Sequence, residues 1–172
     1  LFRSPCIALR RRSYQPQARR LHEVDVDKLR ALTRPTDAPA LSVTVDGVRT
    51  VFSPRAITAV VGPNGSGKTT LMGRIAGRLS GGEVSPEGAD VVLLTQRPGL
   101  PPRSTAVEAV AMVTRDKVRA QELLAAAGLH ELADVPVPAL SGGQAAHVAL
   151  VRALAARPAV LIVDEPLAAV DV

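Results

Sequence analysis

The sequence has very little cysteine and very few aromatic side chains. Its one cysteine, Cys6, cannot form an internal disulfide, which fits a reducing compartment. Only 2% of the residues are aromatic while 47% are hydrophobic, so aliphatic side chains must build the core. No uninterrupted apolar run approaches the ~20 residues that a helix needs to cross a bilayer. At 172 residues the chain has the length of one domain with a substantial core.

Acidic residues are missing from the first twenty positions, which carry six arginines. The rest of the chain holds fifteen basic and sixteen acidic residues, so its near-neutral charge gives no reason to expect nucleic acid binding. Three interpretations of this basic head stay open: a disordered tail, a juxtamembrane linker that follows the positive-inside rule, or an organelle presequence. Prolines in residues 33–39 are typical of a linker, so we assign residues 1–40 to a basic, disordered head and linker.

A glycine-rich stretch over residues 62–70 carries the strongest signal. It matches the phosphate-binding loop pattern G-x-x-x-x-G-K-[ST] at every fixed position. The apolar run 57–61 predicts a buried strand before the loop, and helical spacing predicts a helix over 69–79 after it. Glycines let the backbone wrap a phosphate chain, and the amides and the helix N-terminus attract anions. The loop lysine can reach the β- and γ-phosphates, and the threonine after it can ligate Mg²⁺. The predicted nucleotide-binding residues are Gly62, Pro63, Asn64, Gly65, Ser66, Gly67, Lys68, Thr69 and Thr70.

The rest of the folded part, from about Leu41 onward, alternates between strand and helix patterns. An Asp-Gly pair between two alternating segments predicts a β-hairpin. The later apolar runs are nearly continuous, which is typical of parallel strands with helices on both faces, and hence of an α/β fold. In chain order we predict strands over 41–45, 48–52, 90–95 and 160–163, and helices over 105–113, 115–127 and 142–156.

Two carboxylates, Asp164 and Glu165, directly follow the apolar run 160–163. They lie at the carboxyl edge of the predicted sheet, where such folds bind ligands. In a phosphate-loop protein, an acid at this edge completes the Mg²⁺ shell, and the next acid orients or deprotonates the attacking water. Alone, aliphatic residues followed by Asp-Glu mark a strand that runs into a solvated turn. Together with the phosphate loop, they predict a catalytic site.

A third motif, the pentapeptide Leu140, Ser141, Gly142, Gly143 and Gln144, stands one predicted helix upstream of that strand. With it, the chain from about Leu41 to Val172 resembles an ABC-type ATPase, the nucleotide-binding subunit of ATP-binding cassette transporters. The resemblance implies a P-loop NTPase core with a mainly parallel sheet, an N-terminal antiparallel hairpin and a small helical subdomain over 96–140. It also implies ATP and Mg²⁺ as ligands and ATP hydrolysis that powers solute transport.

The serine and glycines of this signature begin a predicted helix, where hydroxyl, amides and dipole make an anion site. In the family, the signature of one subunit contacts the ATP held by the phosphate loop of the other, in a head-to-tail dimer. The resemblance therefore implies a second ATPase subunit, identical or different, and a transmembrane permease, separate or fused upstream. It places the protein at the cytoplasmic face of a membrane, and nucleic acid is not an expected partner.

Further roles are implied by the same resemblance. Gln96 corresponds to the glutamine that senses Mg²⁺, so Gln96 and Glu165 are the implied catalytic residues. Thr69, Gln96 and Asp164 are the implied metal ligands. Asp171 corresponds to the aspartate that meets the opposite subunit. Residues 165–171 also resemble solute importers, including those for oxyanions such as molybdate.

The chain departs from the family pattern in several places. The switch histidine and the last part of the domain do not occur before Val172, so we expect the sequence to be incomplete at its C-terminus. No aromatic residue stands where an adenine-stacking side chain is expected, and Ala145, Ala146 and His147 replace polar and basic residues after the signature. Two alternatives remain: a soluble ABC ATPase acting on nucleic acid or the ribosome, and a non-hydrolysing nucleotide-binding module. The near-neutral body argues against the first and Glu165 against the second.

Overall fold

The computed structural model describes residues 24–33, 40–53, 56–87, 89–95 and 99–164. These residues form two compact units. The first unit takes the described residues from 40 to 89, and the second takes 24–33 together with everything from 90 onward.

The first unit contains a three-stranded antiparallel sheet in the order β2-β1-β3. Strands β1 (Leu41–Val45) and β2 (Val48–Phe52) pair from Leu41↔Phe52 to Val45↔Val48, as the alternating pattern predicts. Asp46 and Gly47 join them with φ angles of 50° and 76°, the left-handed pair that a two-residue hairpin turn requires. Strand β3 (Gly82–Ser85) covers the other edge of β1, and sequence analysis did not predict it.

The second unit holds a parallel pair of strands, β4 (Val91–Leu94) and β5 (Val160–Val163). Its helices are α3 (Ala106–Thr114), α4 (Lys117–Ala126) and α5 (Gly142–Ala155), with 3₁₀ turns at His130–Leu132 and Val137–Ala139. Aliphatic side chains from all three helices make the core, as the composition requires. Its largest fully buried members are Leu123, Leu124, Val107, Val110 and Val148.

Local signals in the sequence position the first two of these helices. Thr105 and Glu108 form a reciprocal capping box at the start of α3. Arg115 takes a left-handed φ of 56° and ends α3. The Asp116 carboxylate then accepts hydrogen bonds from the first amides of α4, which begins a separate helix. The two predicted helices are thus confirmed, with a break at the predicted place.

A short helix, α1 (Val26–Thr33), lies within the segment that sequence analysis assigned to a disordered head. It belongs to the second unit, where Leu29 and Leu32 pack against the buried cluster. The Leu32 carbonyl accepts hydrogen bonds from Arg119 Nη2 (2.9 Å) and from Arg157 Nε (3.2 Å) and Nη2 (3.0 Å). An eight-residue helix is marginal alone, so these tertiary contacts hold it, and they leave no local signal in the sequence.

Two local predictions in the first unit are wrong. Residues 57–61 form no strand, and Ile57 and Val61 are largely exposed, because no described strand pairs with this run. The helix α2 after the loop (Lys68–Ile75) is shorter than the predicted 69–79. Gly77 takes a left-handed φ of 67°, and the following amides turn back to the Gly73 carbonyl, which ends the helix early.

Within the described part of the chain, no helix has the length and apolar character needed to cross a bilayer. The rest of the basic head, residues 1–23 and 34–39, lies outside the described residues, so its three interpretations remain open.

Candidate nucleotide-binding site

The glycine-rich loop has the backbone conformation that its sequence predicts. Gly65 and Gly67 take φ angles of 79° and 87°, in the left-handed region that favours glycine. The Ser66 amide donates to the Pro63 carbonyl at 3.2 Å and closes the turn. Gly67 is the N-cap of α2, and it makes no side-chain cap to the helix. The loop therefore leads its backbone directly into a helix N-terminus.

Gly62 makes a close approach to the side chain of Ser66. A Cβ atom placed on Gly62 would lie 2.7 Å from the Ser66 hydroxyl oxygen, closer than real Cβ contacts. The first and fifth positions of the loop thus pack against each other. A larger residue at Gly62 would require the Ser66 hydroxyl to move.

Lys68 folds back over the loop. Its Nζ donates to the carbonyls of Gly62 (2.8 Å) and Pro63 (2.9 Å). An ammonium group has three donors, so this arrangement leaves one N–H for a further acceptor. The two carbonyls therefore hold the ammonium group beside the loop, where it stays accessible to an anion.

The amides at the start of α2 are available to a ligand. The N–H groups of Gly67, Lys68 and Thr69 have no acceptor among the described residues, as expected for the first turn of a helix without a side-chain cap. Thr69 and Thr70 are exposed. Free amides, a helix N-terminus and an ammonium group make a site for phosphate.

Asp164 lies at the end of β5 in the second unit. Its amide donates to the Leu94 carbonyl at 2.9 Å, so the ends of β5 and β4 lie side by side, as the carboxyl edge requires. The residue is only 8% exposed, and its carboxylate makes no hydrogen bond to the described residues. A carboxylate that accepts no hydrogen bond from the described residues is an oxygen ligand of the type that Mg²⁺ takes.

The signature residues form the start of α5. The Ser141 hydroxyl accepts from the Gln144 amide (3.2 Å), and the Gln144 side chain accepts from the Ser141 amide (2.9 Å). This capping box uses the third amide of the helix and leaves those of Gly142 and Gly143 without a described partner. Ser141 and Gly142 are exposed. The predicted anion site is therefore accessible, and Leu140 beside it packs against the core.

Three predicted site residues, Gln96, Glu165 and Asp171, lie outside the described residues. The phosphate loop belongs to the first unit, while Asp164 and the signature belong to the second.

Sequence analysis did not single out Arg74 on α2, which forms an ion pair with Asp46 in the hairpin turn at 2.9 Å. The two residues are 28 positions apart, and no motif or helical spacing relates them. The turn itself was predicted, but its tie to the helix of the phosphate loop could be found only in three dimensions.

Comparison with known proteins decides the family. The profile of the family described as ABC transporter matches residues 45–168. The chain belongs to the ABC transporter family. It is 36% identical to the tungstate uptake system ATP-binding protein TupC of Peptoclostridium acidaminophilum, over 76% of this chain and 68% of TupC. It is 37% identical to the cytochrome c biogenesis ATP-binding export protein CcmA of Escherichia coli K12, over 72% of this chain and 70% of CcmA.

Solved structures agree with this assignment to the ABC transporter family. An inward-facing putative metal-chelate type ABC transporter matches 77% of this chain and 62% of its own, with a TM-score of 0.63 and 25% identity. A dimeric ATP-binding cassette in a post-hydrolysis state, bound to ADP and Pi, matches 76% of each chain with a TM-score of 0.57. At 23% identity, the second likeness shows the fold alone.

These findings confirm the predicted family, the α/β P-loop fold and the general function of an ATP-binding transporter subunit. The resemblance to oxyanion importers agrees with the tungstate relative. The chain spans between about half and about two thirds of the length of the curated relatives. The roles of individual residues and the division into head, core and helical subdomain remain predictions.

Proposed function

We propose that this chain is the ATP-binding and ATP-hydrolysing subunit of a solute transporter, acting as a head-to-tail dimer at the cytoplasmic face of a membrane. The observation that carries the proposal is the conformation of the phosphate loop. Its left-handed glycines, free helix amides and Lys68, whose Nζ is held by two loop carbonyls, form an anion site. Membership of the ABC transporter family supports ATP as the anion and transport as the use of its energy.

In this proposal the loop residues bind the phosphate chain and Mg²⁺–ATP is the substrate. Lys68 gives its third N–H to a β- or γ-phosphate oxygen, and the amides of Gly67 and Thr69 hold the others. The Thr69 hydroxyl, Asp164 and Gln96 would hold Mg²⁺, which would neutralise charge on the phosphates. Glu165 orients the attacking water and takes its proton.

The signature completes the site from the partner subunit. Within its own chain, the Ser141 hydroxyl and the Gly142 and Gly143 amides face solvent at the start of α5. An exposed anion site of this kind suits the γ-phosphate bound to a second copy or a homologous subunit, and Asp171 meets that subunit nearby. Dimerisation therefore depends on ATP, because the phosphate is the shared ligand.

We propose a transmembrane permease as the second partner, either a separate chain or one fused upstream. Relatives named for uptake and for export both match the chain, so the proposal does not include a direction of transport. Among solutes, an inorganic oxyanion has the best support, because the tungstate uptake protein is 36% identical over 76% of the chain.

ATP-dependent dimerisation tests this proposal. In the full-length protein, Glu165→Gln is expected to trap ATP and give a dimer by light scattering in the presence of Mg²⁺. Adding Ser141→Arg to that variant is expected to abolish the dimer, because a guanidinium cannot fit against the first amides of α5. ATP binding to the monomer should survive, since the phosphate loop is unchanged. His147 is exposed on α5, the helix that carries the signature, so His147→Arg is the control and is expected to keep the dimer. Ser104 lies away from α5 but is buried, so Ser104→Arg is unsuitable as a control.

The contradicting result is clear. If the Ser141→Arg variant still dimerises with ATP, the signature is an ordinary helix cap and the shared site is wrong. If neither variant binds ATP, the assignment of the loop as the ATP site is wrong, because both variants keep the loop unchanged.

A further inference from the structure

The helix after the phosphate loop has few apolar anchors. Within α2, only Gly73 and Ile75 are buried. Arg74 lies between them with 26% of its side chain exposed, and its Nη1 is 2.9 Å from Oδ2 of Asp46. For an eight-residue helix with two buried residues, this ion pair adds a polar contact to the hairpin turn of the sheet.

Two glycines shape the space that the Arg74 side chain occupies. A Cβ on Gly82 would lie 3.0 Å from both the Cβ and the carbonyl oxygen of Arg74, and one on Gly81 would lie 3.6 Å from Nε. The chain just before β3 thus passes directly over the arginine. This close backbone limits the directions that the guanidinium can take, and the one observed leads to Asp46.

The acceptor, Asp46, is positioned by its backbone, while its side chain is 77% exposed. Asp46 takes a left-handed φ of 50° in the turn between β1 and β2, next to the Val45↔Val48 pair that ends the ladder. Its carboxylate therefore projects from a position set by strand pairing. The ion pair joins the antiparallel sheet to α2, whose first residue is Lys68.

We propose that Arg74 and Asp46 are positioning residues for the phosphate loop. This inference rests on the proposed function, because it requires the loop to bind phosphate. Arg74 lies six residues after Lys68, about 9 Å along the helix axis at 1.5 Å per residue. It does not contact the phosphates. By fixing the rotation of α2 against the sheet, it sets the direction of the Lys68 ammonium and of the Gly67 and Thr69 amides.

The experiment is a double-mutant cycle in the full-length protein, with Arg74→Met and Asp46→Asn made separately and together. Asparagine tolerates the left-handed turn position, so Asp46→Asn removes the charge and keeps the hairpin. Each single variant is expected to weaken Mg²⁺–ATP binding about fivefold, and the double variant no further, because both lose the same interaction. Tripolyphosphate, which has no base, should show the same loss.

Arg78→Met provides the matched control. It removes the same charge four residues further along, from an exposed side chain that pairs with no described acid, and should leave both affinities unchanged. Its effect separates positioning by the ion pair from a general loss of positive charge near the loop. If Arg74→Met does not fold, Asp46→Asn alone carries the comparison between the two ligands.

Four results would overturn the inference: wild-type binding by the Arg74 and Asp46 variants, additive losses in the double variant, a loss for ATP without one for tripolyphosphate, or an equal loss in Arg78→Met. The proposed function is tested separately by Lys68→Ala. If Lys68→Ala weakens binding about 100-fold and the Arg74 and Asp46 variants bind like the wild type, only the positioning role is wrong. If Lys68→Ala also binds normally, the proposed function itself fails.

Discussion

Replacing Lys68 by alanine should weaken Mg²⁺–ATP binding by about 100-fold. The change removes the one N–H that Nζ has left for a phosphate oxygen, and each charge-assisted hydrogen bond contributes about 1.5–3 kcal/mol. It also removes the hydrogen bonds that Nζ donates to the carbonyls of Gly62 and Pro63, so the first residues of the loop lose their contact with the start of α2. Both effects act in the same direction, and free amides alone cannot neutralise the phosphates.

Isothermal titration with Mg²⁺–ATP measures this loss. Lys28→Ala is the control, since Lys28 is an exposed lysine of α1 that lies outside the phosphate-loop motif. It removes the same charge and should bind ATP like the wild type. Equal affinity of Lys68→Ala and Lys28→Ala would mean that the loop is a glycine-rich turn with an incidental lysine.

Glu165→Gln should reduce ATP hydrolysis by about 10²- to 10⁴-fold, the contribution expected of a general base. Glutamine keeps the size and much of the hydrogen bonding of the side chain, so the affinity for ATP should change little. The loss thus falls on kcat and not on binding. Single-turnover hydrolysis in the full-length protein measures it without interference from product release.

The matched change Glu122→Gln, at an exposed glutamate on α4, should hydrolyse ATP like the wild type. The assignment of the base is wrong if Glu165→Gln retains more than about a tenth of the wild-type rate, since a general base contributes more than that. A fall in ATP affinity equal to the fall in rate would contradict it as well, because it would place Glu165 in binding.

The features that sequence could predict are those encoded within a few residues. The Asp46 and Gly47 pair requires left-handed backbone and gives a hairpin turn. Ser141 and Gln144 form their capping box from a three-residue spacing. The phosphate loop likewise takes its shape from its own glycines, so its conformation follows from the motif.

Features that depend on distant parts of the chain could not be predicted in the same way. Helix α1 is held by Arg119 and Arg157, which are 87 and 125 positions from Leu32 in sequence. The ion pair of Arg74 and Asp46 likewise joins residues that are far apart in sequence. For the apolar run 57–61, sequence analysis predicted a strand that the structure does not contain. The composition of this run favours a strand, but a strand forms only where a neighbouring strand pairs with it.

In the proposed head-to-tail dimer, each nucleotide site takes its phosphate loop from one chain and its signature from the other. Mixing two inactive variants tests this directly, with Glu165→Gln present in both to trap ATP. One carries Lys68→Ala with an intact Ser141, and the other carries Ser141→Arg with an intact Lys68. Neither variant should form a dimer by itself when ATP is added. A head-to-tail dimer restores one complete site per mixed pair, so the mixture should form dimers that retain about one ATP each. No ATP-bound dimer in the mixture would show that loop and signature do not act between chains.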